Sequence, residues 1–140
     1  MIKVVPYRAE HVMIFQKYSF RQAVEMERSG VSFTAMDENN KVLGCAGVLV
    51  PWPRFGMAWM LVSDELLHHP FFMLRRIPRI FEDIKRGFNL RRVELCANAN
   101  LREHQEYAVW LGFAPEREAR ARQYTPEGQD AIRYEWVEER

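Results

Sequence analysis

Three strand-like segments follow one another between Val31 and Val62, and their short connections constrain the fold more than any other feature. They span residues 31–36, 42–50 and 56–62. A polar turn at residues 37–41 and a proline-rich break at residues 51–54 separate them. Consecutive strands joined by short turns predict an antiparallel meander.

Helical and strand patterns on either side of this meander complete the predicted order. The helical patterns span residues 9–28, 70–88 and 101–111, and the remaining strands span residues 2–5, 92–97, 116–124 and 131–137. Tyr18-Ser19 interrupts the first helical pattern, and Pro78 is expected to kink or divide the second. A helix between the fourth and fifth strands implies that these two run parallel, with antiparallel neighbours.

We therefore predict one α/β domain over residues 1–140, in the order β-α-β-β-β-α-β-α-β-β. A mixed, mostly antiparallel sheet of about seven strands is expected to carry helices on both faces. The formal net charge of +1 gives no global electrostatic case for a nucleic-acid partner. Such a partner would need a local patch, for which Arg120 and Arg122 on a predicted outer strand, together with the helix that carries Arg75, are candidates. A charged, solvated outer strand is the simpler alternative.

The N-terminus and the apolar runs carry no targeting signal. No run approaches the roughly 18 apolar residues of a membrane helix. Residues 1–6 are too short for the apolar region of a signal peptide, and the residues just after them are too polar. We expect a cytoplasmic protein without a membrane partner. Cys45 and Cys96 each lie in an apolar run, which predicts two reduced core thiols. The adjacent pair His68-His69 has no Cys or carboxylate to complete a tetrahedral set, so we predict no metal.

Residues 93–113 resemble a passage of a known superfamily. The segment Val93-Glu94-Leu95-Cys96-Ala97-Asn98-Ala99-Asn100, a helix over 101–111 and then Gly112-Phe113 resemble the strand-Asn-helix-Gly-Phe passage late in Gcn5-related N-acetyltransferase (GNAT) domains. The predicted element order matches the whole GNAT fold, so the resemblance covers essentially the full chain. It implies a GNAT-like fold and a cleft for acetyl-CoA between the fourth and fifth strands.

A more specific resemblance is carried by Trp59-Met60-Leu61-Val62-Ser63-Asp64-Glu65, together with Asn100 and His104 ahead of Gly112. These residues are similar to a GNAT-like internal-virion or assembly protein of short-tailed phages. The resemblance implies a phage gene, a place in the host cytoplasm or the virion, and a phage or host protein as partner. Trp52 and Phe55, beside the proline-rich break, suit partner contact. The alternative is a hydrophobic lid over the sheet edge.

The GNAT resemblance also implies which residues would hold the cofactor. Met60, Leu61 and Val62 would offer backbone groups to the pantetheine arm, and Asn98 would hydrogen-bond the arm or its phosphate end. These segments are equally suited to be core strands and a helix cap. Asn100 is expected to be the N-cap of the last helix, with Glu103 completing a capping box.

The phosphate loop of the family is missing. Its pattern is Arg or Gln, two residues, Gly, one residue, then Gly or Ala, because the backbone must approach the phosphates closely. Residues 63–72 contain no glycine, and they contain Asp64 and Glu65, which would repel a pyrophosphate. Either carboxylate could act as a general base, but both are expected near a helix start, where acidic residues are common.

Two arginines offer another way to hold phosphates. Arg75 and Arg79 lie four residues apart and share a helix face, and guanidinium groups bind phosphates in a bidentate manner. A solvated basic helix face is the alternative.

The catalytic residues implied by the family are also displaced. GNAT domains often place a tyrosine four residues before the helix-ending glycine, and that position is Ala108 here. Tyr107 lies one residue, about 100°, away, and His104 shares the face of Ala108 and can exchange protons near neutral pH. Tyr107 and His104 are therefore the candidate catalytic residues, with a core aromatic and an exposed helical histidine as the alternatives.

These departures predict a GNAT-fold protein with a degenerate acetyl-CoA motif that acts mainly as a binding or assembly protein. An active acetyl-CoA-dependent N-acetyltransferase, which acetylates an amine of a small molecule or protein, is the alternative.

Overall fold

The computed structural model describes residues 1–98, 101–115 and 123–138, apart from the side chain of Asn98. Its strands are β1 (Lys3–Pro6), β2 (Gly30–Met36), β3 (Val42–Trp52), β4 (Phe55–Val62), β5 (Arg92–Asn98), β6 (Ala114–Pro115) and β7 (Ala131–Val137). They form one sheet in the order β1-β2-β3-β4-β5-β7-β6. Among these residues β4 and β5 run parallel and every other neighbouring pair is antiparallel. The predicted sheet and element order are confirmed.

Helices lie on both faces of this sheet. They are α1 (Ala9–Val12), a 3₁₀ turn (Met13–Phe15), α2 (Phe20–Arg28), α3 (Asp64–Leu67), a π-helical turn (Phe72–Arg76), α4 (Ile77–Gly87) and α5 (Arg102–Trp110). Among them, none combines the length and the apolar character that a bilayer crossing requires.

The first predicted helix is broken where the sequence indicates. Ser19 begins α2 with a capping box, because its hydroxyl accepts the Gln22 N–H at 3.2 Å while the Gln22 side chain accepts the Ser19 N–H at 2.9 Å. In the second predicted helix, Pro78 causes no full break. It lies in the first turn of α4, where a missing N–H is tolerated, and the π turn precedes it.

Alternate residues of β4 face two separate apolar layers, as the two-residue period of a strand requires. Trp59 and Leu61 pack with α1 and α2. Met60 and Val62 pack on the other face with α3, the π turn and α5. The strand therefore contributes side chains to both sides of the sheet at the centre of the molecule.

The C-terminal region differs from the predicted boundaries. Helix α5 begins at Arg102, and the N-cap position belongs to Leu101, which makes no side-chain cap hydrogen bond. The predicted cap, Asn100, lies outside the described residues. Residues 116–122 of the predicted sixth strand, including the Arg120 and Arg122 patch, also lie outside them. Strand β6 comprises two residues at 114–115, and residues 123–124 are not in a strand.

The prediction of two buried thiols is correct for Cys45 and wrong for Cys96. Cys45 is 2% exposed, whereas Cys96 is exposed, and both are free. The reason is the alternation along β5. Val93 and Ala97 point into the core, so Cys96, one residue before Ala97, points to the opposite face.

Candidate functional site

Strands β4 and β5 are paired at one end only, and this opens the sheet. Their parallel pairs are Phe55 with Arg92, Gly56 with Val93 and Met57 with Glu94. Beyond these pairs, residues 58–62 stay paired with β3, and residues 95–98 stay paired with β7. Each strand therefore turns an edge without ladder partners toward the other, and such an edge offers backbone N–H and C=O groups.

A cavity of about 820 Å³ occupies this opening. Its wall includes residues from β3, β4 and β5, from α3, the π turn, α4 and α5 on one face, and Phe15 and Lys17 on the other. Most of the wall is apolar. The side chains that carry polar groups are Lys17, Trp59, Asp64, Cys96, Glu103, His104 and Tyr107. An apolar cleft of this size with a few polar groups is the usual form of a ligand site.

The cleft brings together five predicted site residues. They are Met60, Leu61, Val62, His104 and Tyr107. The three β4 residues lie along the open edge, and the other two lie three residues apart on α5, so they share a helix face. His104 is exposed and makes no side-chain hydrogen bond within the described residues.

The other predicted site residues are not part of the described cleft wall. Arg75 and Arg79 are both exposed, and the same helical region contributes Met73, Leu74 and Ile77 to the cleft instead. Asn98 pairs through its backbone with Ala131, while its side chain lies outside the described residues.

The connection that leaves β4 is a capped helical turn. Ser63 Oγ accepts the Leu66 N–H at 3.2 Å. The next three amides, of Leu67, His68 and His69, donate to the carbonyls of Ser63, Glu65 and Leu66 at 3.2, 3.2 and 3.0 Å. Four consecutive amides are therefore used inside the chain. A diphosphate held at a helix start uses the first amides of the helix, and of those of α3 the Leu66 amide is taken by the Ser63 cap.

Carboxylates border the cleft near this turn. Asp64 and Glu103 both belong to the cleft wall. Glu65 lies beside Asp64 and forms an ion pair with Lys41, at 3.2 Å. A phosphate placed here would meet negative charge rather than the cations that phosphate sites use.

Two residues that fix this turn were not indicated as site residues by the sequence. Leu66 is 1% exposed and anchors α3 in the core. Gly44 on β3 makes room for it, because a Cβ on Gly44 would lie 2.7 Å from Leu66 Cδ2. A glycine inside an apolar strand is a signal of such a close approach, although it does not say which residue approaches.

Tyr107 is placed in the cleft but its hydroxyl is already committed. The phenol donates to the Met73 carbonyl, and burial raises the pKa of Tyr107. A raised pKa means that the phenol holds its proton more tightly, which opposes its use as a general acid. Ala108, at the position where the family often has a tyrosine, is 3% exposed and also lines the cleft.

A second, smaller cavity of about 380 Å³ lies on the α2 face of the sheet. Trp59 contributes to the walls of both cavities. Its indole N–H is buried without a hydrogen-bond partner among the described residues, and Tyr7 packs edge-on against its ring at 5.2 Å between centroids. Among the residues that the structure describes, no group of three or more His, Cys, Asp or Glu side chains is placed to hold a metal ion.

No family model and no curated protein matches the chain. Solved structures do. The IAA acetyltransferase from Bacillus cereus has 14% identity and a TM-score of 0.75, over 99% of this chain and 100% of that one. The ribosomal-protein-S5-alanine acetyltransferase from Vibrio fischeri has 16% identity and a TM-score of 0.72, over 97% of this chain and 92% of that one.

A mutant form of the spermidine/spermine N-acetyltransferase SpeG from Vibrio cholerae has 14% identity and a TM-score of 0.69, over 98% of this chain and 95% of that one. These identities are low, so the likeness concerns the fold. The open pair β4–β5, the element order and the extent of these matches together show that the chain has the GNAT fold.

Proposed function

We propose that this chain uses the GNAT fold mainly for binding, as a phage-encoded protein of virion assembly or host interaction. The observation that carries the proposal is the capped turn after β4. The amides of residues 66–69 are bonded within the chain, at the place where a GNAT enzyme presents amides to the cofactor diphosphate. The resemblance of residues 59–65 to a GNAT-like phage protein supports the phage assignment.

Freeing those amides would be costly. The turn would lose the Ser63 cap, worth about 1 kcal/mol, and Leu66 would leave the core, which costs about 1.5–3 kcal/mol for a leucine. Together these terms reduce the affinity for a diphosphate by roughly 60- to 700-fold before any phosphate contact forms. Asp64 beside the turn adds electrostatic repulsion.

The cleft itself favours an uncharged or basic occupant. Its walls are largely apolar, its open strand edges offer backbone hydrogen bonds, and Asp64 and Glu103 supply negative charge. The ammonium of Lys17, also in the wall, is paired with Glu127 at 2.6 Å. An apolar chain with amide groups and a basic end suits these three properties. A phosphorylated nucleotide suits none of them.

A second surface supports partner binding. Trp52 and Phe55 stack at the β3–β4 turn, with ring centroids 4.4 Å apart, and Trp52 is 58% exposed. Arg54 between them ties the turn down, because its guanidinium donates to the Asn89 carbonyl at 3.1 Å and reaches Glu138 at 3.2 Å. A rigid aromatic pair with one exposed ring loses little entropy on binding, so it suits a protein contact.

An active acetyl-CoA-dependent N-acetyltransferase is the second candidate, and the opening between β4 and β5 favours it. Residues 60–62 would pair with the pantetheine arm, and Asn98 would assist. Arg75 and Arg79 would have to reach the phosphates from outside the described cleft wall. His104 and Tyr107 would be the proton carriers, and an amine of a small molecule or protein would be the acceptor.

Titration calorimetry and thermal shift with acetyl-CoA and with pantetheine separate the two candidates. We expect no change in Tm at millimolar acetyl-CoA, because a ligand that binds the folded state raises Tm with its concentration. A concentration-dependent rise, together with thiol release in the presence of amines, would contradict the binding proposal. Weaker acetyl-CoA binding by Arg75→Ala/Arg79→Ala would then identify the phosphate contacts.

Matched variants locate any ligand that is found. Ala58→Phe fills the cleft from β4, whereas Met57→Phe adds a ring at an exposed neighbouring position outside the cleft wall. A ligand of the cleft is lost in the first variant and kept in the second. Trp52→Ala should weaken a protein partner that uses the stacked pair. Neighbouring genes for portal, tail or internal-core proteins would support the assembly role, and a metabolic operon would contradict it.

A further inference from the structure

The π turn takes away the usual α-helical donor of the Met73 carbonyl. The Ile77 N–H donates to the carbonyl of Phe72, five residues back. The Met73 carbonyl would normally accept from residue 77 or, in the π register, from residue 78. Residue 77 is already used, and Pro78 has no N–H. Met73 is 6% exposed, so an unpaired carbonyl there would be costly.

A side chain from a different helix supplies the missing donor. The Tyr107 hydroxyl on α5 donates to the Met73 carbonyl. The ring lies in the same apolar cluster as Met73 and Ile77, which holds it in position. The hydroxyl thus performs the task that an amide of residue 78 would perform in a helix without proline.

We infer that Tyr107 is a positioning residue: its hydroxyl replaces the amide that Pro78 lacks and ties the π turn to α5. Both ends of this tie belong to the cleft, because Met73, Leu74 and Ile77 form its wall on one side and Tyr107 forms it on the other. The inference goes beyond the proposed function and concerns how the cleft keeps its shape. It assigns Tyr107 a role other than proton donation.

A double-mutant cycle tests this assignment in the full chain. Tyr107→Phe keeps the ring and leaves the Met73 carbonyl unpaired, so the unfolding equilibrium constant in urea should rise roughly tenfold. Pro78→Ala supplies an N–H at residue 78, which reaches the Met73 carbonyl if the π register of the turn is kept and the Leu74 carbonyl if the α register takes over. In that background, Tyr107→Phe should raise the constant by less than about threefold. Equal effects in both backgrounds, or no effect of Tyr107→Phe alone, would overturn the inference.

Two controls match the substitutions. Tyr18→Phe removes a hydroxyl from a half-buried tyrosine that makes no hydrogen bond within the described residues, and it should be nearly neutral. Pro70→Ala changes a proline at the start of the helical region instead, and its combination with Tyr107→Phe should be additive. If Tyr107→Phe showed the same coupling free energy with Pro70→Ala as with Pro78→Ala, the specific replacement of the residue-78 amide would be contradicted.

A direct signature comes from the carbonyl itself. The ¹³C′ NMR shift of Met73 should move in Tyr107→Phe and return toward the parent value when Pro78→Ala is added. A shift that does not move would contradict the hydrogen bond. The cycle uses no ligand, so its failure is distinct from a failure of the binding proposal. If the chain is found to transfer acetyl groups, the double variant Tyr107→Phe/Pro78→Ala gives a further test. A double variant that regains stability but not activity would identify Tyr107 as a proton donor instead.

Discussion

The capped turn after β4 depends on one buried side chain, and replacing Leu66 with alanine should detach it. Leu66 is 1% exposed and packs with Leu43, Phe72 and Met73. The next residue on the same turn, Leu67, is 49% exposed and serves as the matched control. The two leucines therefore share sequence neighbourhood and helix propensity while differing in burial.

The magnitude follows from that burial. Complete removal of a buried leucine side chain to its Cβ costs about 2–5 kcal/mol, because lost transfer free energy and a residual cavity add. Helix α3 has only four residues and can relax in part into the space, so we expect about 3 kcal/mol for Leu66→Ala. For Leu67→Ala we expect no more than about 0.5 kcal/mol, since exposed positions contribute little.

Urea unfolding followed by circular dichroism measures both free energies, and amide hydrogen exchange reports the turn directly. In Leu66→Ala, the amides of residues 66–69 should exchange faster than in the parent and in Leu67→Ala. A loss below about 1 kcal/mol for Leu66→Ala, or unchanged protection of these amides, would refute the view that core anchoring holds the turn.

Gly44→Ala should cost about 1–3 kcal/mol, because its methyl group would lie 2.7 Å from Leu66 Cδ2; an equal cost in the Leu66→Ala background would contradict this cause. Lys85, 7% exposed, has its Nζ 4.1 Å from the ring centroid of Trp136. A double-mutant cycle of Lys85→Met and Trp136→Leu should give a coupling of about 1–2 kcal/mol, and a coupling near zero would show that the contact adds nothing beyond apolar packing. Burial lowers the pKa of His11, whose Nδ1 lies 2.8 Å from the buried Thr34 hydroxyl. The unfolded chain therefore binds the His11 proton more tightly than the folded chain does. The stability that neutral His11 contributes to folding is present above about pH 6.5 and is lost as pH falls through the lowered folded-state pKa. Urea unfolding at several pH values should show this loss in the parent and not in His11→Gln, and parallel profiles would contradict it.

Local patterns were sufficient for most of the fold. The Val31–Val62 meander, the interruption of the first helix at Tyr18-Ser19 and the parallel β4–β5 pair follow from turn chemistry, a break in the apolar pattern and the helical crossover. Each of these signals acts over a few residues, so it is visible in the sequence. The absence of a glycine loop in residues 63–72 is visible for the same reason, and it remains the basis of the proposed function.

Side-chain direction could be predicted less well, because it depends on which face another element covers. The sequence placed Cys96 in the core with Cys45, yet the alternation along β5 turns Cys96 outward. It also set Tyr107 one residue away from the catalytic position of the family. The packing of α5 against the π turn nevertheless brings Tyr107 into the cleft wall.

The sequence by itself determined the order of the strands and helices, the antiparallel meander and the missing phosphate loop. Tertiary structure decided what takes the place of that loop: a turn whose amides are bonded internally and whose Leu66 is buried beside Gly44. It also decided that the Tyr107 hydroxyl meets the Met73 carbonyl. The contacts of Leu66 with Gly44 and of Tyr107 with Met73 join residues distant in sequence, and no local periodicity encodes which distant groups will meet.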